Sequence, residues 1–188
     1  MNTEQTSKPE TKLKQVFETG NEAQIRQIQA AKKDKSAFYP LYLKFVDRIY
    51  YYILARVGSH QDAEDLSSEV FIRAMSKLHR FDERNSFAAW LFKIARNLTI
   101  DHYRANKVIW LDVEEFDLPA TENGLDPETV IVLREQLTKL EAREFDLLSL
   151  RYAAGLTFVE MGQILGKSPG AVRKAHSKVL KCLRLNME

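Results

Sequence analysis

From Ile25 to Leu183 the apolar residues recur at three- and four-residue spacing almost without interruption. That period places them on one face of a helix, whereas a strand would alternate them. Phe38, Leu41, Tyr42, Phe45, Ile49, Tyr52 and Ile53 set the pattern. No stretch alternates strongly enough to read as a strand, and no repeat or low-complexity tract intrudes. The chain is therefore expected to be all-α. One break is long: residues 108–126 have no helical period and hold Pro119 and Gly124, with Pro127 just after. Proline and glycine at that density read as a linker. The expectation is two small helical domains, 24–107 and 127–188, joined by a flexible acidic linker at 108–126 and preceded by a mobile, polar leader at 1–23.

Charge follows the same division, though the net value is only +2. Residues 86–107 carry four cations against Asp101, and residues 161–188 carry six against Glu188. Between them, residues 108–128 hold seven acids and no cation. Two basic blocks around an acidic one suit two nucleic-acid surfaces and a linker that avoids DNA. The single cysteine, Cys182, excludes an internal disulfide and suits a reducing compartment. No window approaches 18 apolar residues, so no membrane insertion is expected. The N-terminus lacks the apolar core of a signal peptide. The expected location is cytoplasmic.

The last third gives the sharpest local signals. Thr157 and Glu160 are spaced as a capping box. Gly166 ends the short helix they open, and Ser168 with Pro169 starts another. Two short helices around a tight glycine turn form a helix-turn-helix, which presents its second helix to the major groove. By period, Val172, Ala175, Val179, Cys182 and Leu183 are buried. Ser168, Gly170, Ala171, Arg173, Lys174, Ser177 and Lys178 face outward as candidate DNA contacts, with small residues at the tip and cations behind. Before this unit, a helix over about 141–152 should turn Phe145, Leu148 and Tyr152 inward, and Gly155 should stop it.

Two further helices carry candidate sites. In 62–78, Ala63, Leu66, Val70, Phe71, Ala74 and Leu78 form the buried stripe, and Asp65, Glu69, Ile72 and Ser76 the exposed one. Acids around an exposed isoleucine fit a basic protein partner with an apolar centre. In 87–104, Lys93, Arg96, Asn97 and Arg104 share an exposed side, with Phe81, Asn85, Ser86 and Trp90 near its start. Aromatics beside cations and amides suit unstacked single-stranded bases. The four histidines have no nucleophile at useful spacing, and no glycine-rich phosphate loop or convergent ligand set is present. The chain is not expected to be an enzyme or to need a metal or cofactor.

DAEDLSSEVFIRA (62–74), SFAAWLFKIARNLTIDHYR (86–104) and the terminal helix-turn-helix resemble the extracytoplasmic-function group of bacterial RNA polymerase sigma factors. The resemblance implies a region-two domain over 24–107 and a region-four domain over 127–188. Asp62, Asp65, Glu69 and Ile72 would then bind core RNA polymerase. Phe81, Asn85, Ser86, Lys93, Arg96, Asn97 and Arg104 would melt and read the −10 element, and the outward face of the last helix would read the −35 element. The partners implied are core polymerase and promoter DNA, with room for an anti-sigma factor. The alternative is a dimeric helix-turn-helix repressor or activator, which needs a self-complementary dimer interface.

Overall fold

The computed structural model describes residues 22–106 and 127–186; the expected linker and all but residues 22–23 of the expected leader fall outside them. Every regular element among the described residues is helical. Helix α1 covers 22–33; α2 (Tyr39–Val57) follows a single 3₁₀ turn, and α3 (His60–Lys77) and α4 (Phe87–Asn106) complete the first unit. The second contains α5 (Pro127–Thr138), α6 (Ala142–Leu148), α7 (Phe158–Leu165) and α8 (Pro169–Leu185).

The helix ends are set by local capping, and those expected at Thr157, Gly166 and Ser168 are formed. Gly58 closes α2 in the left-handed region at φ 72°, and its N–H donates to the Leu54 carbonyl. Ser59 caps α3 by accepting from the Asp62 N–H. The Thr157–Glu160 capping box is formed in both directions, and Ser168 accepts from the Ala171 N–H to start α8. Each cap satisfies donors that a helix start leaves unpaired.

Four inward assignments are corrected. Tyr152 is 62% exposed, and Leu150 is fully buried in its place. The cause is a π-turn at Ser149–Ala153, which follows α6 directly and inserts one residue into the turn. Every side chain after it is rotated away from the 3.6-residue register. On α8, Cys182 is exposed, while His176 is buried against Tyr152 and Phe158. Burial pushes the His176 pKa down, and the nearby Arg151 cation adds to the shift. Leu66 and Ala175 are only half-buried.

One apolar core runs through both units. Phe45, Ile49, Tyr52, Ile53, Leu91, Phe92 and Ala95 of α2 and α4 belong to the same cluster as Leu150, Leu156, Met161, Ile164 and Val172. A smaller cluster of Leu148, Val179 and Leu183 ties α8 to α6. The helix-turn-helix is therefore packed on α2 and α4.

Within the helix-turn-helix, Gly162 sets the approach of α7 to the turn. A Cβ there would lie 2.6 Å from the Lys167 carbonyl oxygen, which is backbone and cannot rotate away. Gly162→Ala is expected to destabilise the chain by about 1–3 kcal/mol, because the overlap outweighs the gain in helix propensity. Gly170→Ala, with nothing within 4 Å, should leave the thermal midpoint unchanged or slightly higher. Thermal unfolding followed by circular dichroism compares the two.

Candidate nucleic-acid and partner surfaces

Three surfaces carry the residues singled out by sequence. The first is the outer side of α3. Asp65 and Ile72 are exposed, Ile72 to 58%, with Met75 and Ser76 beside them. Glu69 is half-exposed and accepts from Arg73 Nε at 2.6 Å, one turn on. An isolated pair of that kind contributes about 0.3–0.5 kcal/mol, so it leaves Glu69 free to exchange partners. Asp62 stands at the edge of this face, its carboxylate 3.6 Å from His102 Nε2 of α4. An apolar side chain held in water among acids is the composition of a docking surface.

The second surface is the start of α4 and the loop before it. The loop is tied at several points. Lys32 of α1 donates to the Phe81 carbonyl at 2.7 Å and to Glu83 at 2.9 Å, and Gln29 donates to Glu83. Asp82 accepts from the Arg84 backbone and guanidinium. Those side-chain hydrogen bonds, then the backbone one, lower the Asp82 pKa to about 2. Ser86 caps α4 by accepting from the Ala89 N–H. A cleft of about 310 Å³ opens here, lined by Asn85, Ser86, Trp90 and Lys93 and closed by Gln163 of α7. Phe81 is corrected as an open stacking platform: it is 4% exposed, and its ring packs on Phe87 and Trp90 with centroids 5.5 and 5.1 Å away. The triangle of rings holds the half-buried Trp90 at the cleft wall.

Further along α4, Lys93, Asn97 and Arg104 are exposed on one side. Arg96, from the same stripe, is not free: its Nε donates to Asp146 Oδ2 of α6 at 2.7 Å. The other carboxylate oxygen accepts from Arg56 Nη1 at 2.6 Å. Arg56 and Asp146 are 1% and 3% exposed. Nearby, Arg48 lies over the rings of Phe45 and Phe92 and donates to the Ala154 carbonyl at 3.0 and 2.5 Å. Ser86 Oγ also donates to Glu160 Oε1 at 2.8 Å. Sequence reasoning missed Arg48, Arg56, Asp146 and Glu160 as a set. One signal was there: Arg56 lies seven residues after Ile49, on the buried stripe of α2.

The third surface is α8. Ser168, Gly170, Ala171, Arg173, Lys174, Ser177 and Lys178 are all exposed, as expected. Arg173 lies 5.5 Å over the Phe158 ring, which fixes its stem while leaving its edge to solvent. A cap, small residues at the tip and cations behind fit a duplex groove. Among the described residues no group of three or more histidines, cysteines or acids could hold a metal ion. No described helix is long and apolar enough to cross a membrane.

Residues 41–108 match the family Sigma-70 region 2, and residues 137–185 match Sigma-70, region 4. The ECF RNA polymerase sigma factor SigW of Bacillus subtilis is 30% identical over 174 residues, 83% of this chain and 91% of that protein. The ECF RNA polymerase sigma factor BldN of Streptomyces coelicolor is 30% identical over 167 residues; the match takes 85% of this chain but 62% of that longer protein. In fold, the chain resembles the sigma factor RpoE solved with the anti-sigma factor NepR from Bartonella quintana. The TM-score is 0.63 at 22% identity, over 80% of this chain and 96% of that one.

The Asp82–Arg84 tie has a measurable signature. The carboxyl of Asp82 should titrate near pH 2 in the folded chain, and Arg84→Ala should return it toward 3.8. Because the folded-state value is depressed, the tie is fully present above pH 3.8 and fades as pH falls through about 2. Carboxyl carbon shifts in a pH series by NMR provide the check.

Proposed function

The chain belongs to the extracytoplasmic-function (ECF) RNA polymerase sigma factors, and we propose that it binds the core enzyme through α3 and carries it to promoters read by α4 and α8. The observation that carries this reading is the division of labour across one molecule. An exposed isoleucine among acids lies on α3, an aromatic and amide cleft with cations lies on α4, and a capped cationic helix tip lies on α8. No dimeric repressor needs the first two.

In this mechanism Asp65, Glu69 and Ile72 dock on a basic, apolar-centred surface of the polymerase, with Asp62 at the rim. The tip of α8 enters the −35 major groove; Ser168, Gly170 and Ala171 allow close approach, and Arg173, Lys174, Ser177 and Lys178 meet phosphates and base edges. The −10 strand, once separated, lies along α4. Lys93 and Arg104 contact its backbone, Asn97 its base edges, and the cleft of Asn85, Ser86 and Trp90 accepts an unstacked base. Phe81 acts through Trp90, which it supports from behind. An anti-sigma factor is a further partner class for this chain.

Pull-down with core RNA polymerase followed by run-off transcription tests the whole reading; a chain that neither binds the core enzyme nor supports initiation rejects it. Two substitutions test its parts. Asp65→Arg should weaken core binding at least tenfold, about 1.4 kcal/mol, with an unchanged melting profile, because the side chain is exposed. Asn97→Ala should reduce initiation from duplex promoters more than from pre-melted bubble templates in its opening step. Its loss of strand contact should be about 1–3 kcal/mol. Transcription rates on the two templates separate these effects.

A further inference from the structure

Arg173, Lys174 and Lys178 all stand exposed on α8, but their surroundings differ. The Arg173 guanidinium carbon lies 5.5 Å from the ring centroid of Phe158, the first residue of α7. Lys174 and Lys178 rest on no ring among the described residues. The N–H groups of Arg173 have no hydrogen-bond or ion-pair partner among the described residues. Its face is therefore occupied and its donor edge is unspent.

The Phe158 ring is itself held from several directions. The Thr157–Glu160 capping box fixes the backbone on which it starts. Arg151 lies 4.9 Å from the same ring centroid, and its Nη1 is anchored by donating to the Leu156 carbonyl at 2.7 Å. The His176 ring meets Phe158 edge-on at 5.3 Å, about one turn along α8 from Arg173. Burial, and then the Arg151 cation, hold the His176 pKa below its ordinary value. At neutral pH the cluster therefore gains no further positive charge to push Arg173 off the ring.

A guanidinium carried over a ring is confined before it binds and turns its edge to whatever lies beyond. That edge matches the paired O6 and N7 acceptors of guanine in the major groove. A lysine ammonium is a flexible point charge and suits a phosphate. Position agrees, since Arg173 lies near the start of α8, where a recognition helix meets base edges. We propose that Phe158 is a positioning residue acting through Arg173, so that Arg173 reads a guanine of the −35 duplex while Lys174 and Lys178 grip phosphates. This rests on the proposed function of α8. Specificity at that base pair is then set by the first turn of α7 as well as by the recognition helix.

The test uses the full chain bound to core RNA polymerase. Wild-type holoenzyme first selects promoters from a duplex library randomised over both elements. Each guanine of the selected −35 segment is then replaced in turn by the other bases, and binding is measured. At one of them wild type should prefer guanine at least about tenfold, and Arg173→Lys should remove most of that preference. Phe158→Leu should cut the same preference about three- to fivefold. It should leave binding to the replaced templates at wild type, because the Arg173 charge is kept. The double variant should discriminate no worse than Arg173→Lys, since the ring acts only through the guanidinium. Phe158→Tyr keeps the ring and should restore the wild-type preference. Val159→Ala, at an exposed neighbouring position, should change nothing. Circular dichroism confirms that each variant is folded; if Phe158→Leu is not, Phe158→Met takes its place. A folded variant without the ring that keeps the wild-type preference overturns the positioning, and so does equal weakening on every template, which is a structural effect alone. Arg173→Lys with an unchanged preference for every guanine overturns the base reading. A wild-type holoenzyme with no preference anywhere in the −35 segment overturns the proposed function of α8 as well, so the two failures are told apart.

Discussion

The arrangement of the two helical units turns on one carboxylate. Asp146 sits 3% exposed at the end of α6, and its two oxygens accept from Arg56 and Arg96, on α2 and α4. Removing water from three charged groups costs several kcal/mol per ion, and only close pairing offsets it. The geometry therefore has little tolerance: if α6 moved away, the buried Arg56 would lose its carboxylate partner. Around this point the other contacts fall into place. Tyr52, stacked edge-on with Phe92 and beside the Arg56 guanidinium, has its hydroxyl pKa pushed up by burial. Leu150 and Leu156 fill the space below, placed there by the π-turn.

A buried ion pair is a poor source of net stability, but removing one partner leaves an uncompensated buried charge and is strongly destabilising. Leucines at these positions would fix the two units together without regard to what lies on their faces. Guanidinium and carboxylate instead make directional contacts, Asp146 meeting Arg56 with one oxygen and Arg96 with the other, so the charged part of the seam adds an orientation that its apolar part does not impose.

Much of this was legible in the residues. The caps at Thr157 and Ser168 and the stops at Gly155 and Gly166 are short-range chemistry, and each is where the sequence places it. The exposed stripe of α3 and the outer face of α8 follow from period alone. What period could not supply was the change of register at Ser149–Ala153, because a π-turn has no residue signature of its own; Tyr152 and Leu150 exchange places as a result. Phe81 was hidden for a different reason: an aromatic before a helix reads equally as core or as platform, and only the rings of Phe87 and Trp90 decide. Asp146 was missed because an acid beside Phe145 on a short helix is ordinarily solvated, and its partners are 90 and 50 residues away.

The single core shared by the two units also sets which backbone a protease can reach. Leu150, Leu156 and Met161 are fully covered only while the units are together. Each excursion that parts them wets those side chains and offers loosened backbone to proteases. When opening and reclosing are fast relative to cleavage, degradation follows the population of the open form, not the free energy of complete unfolding. Proteolysis of such a chain is therefore expected to track the fraction of molecules whose units are parted, so that a cut near Leu150 or Leu156 reports the seam and not the global fold.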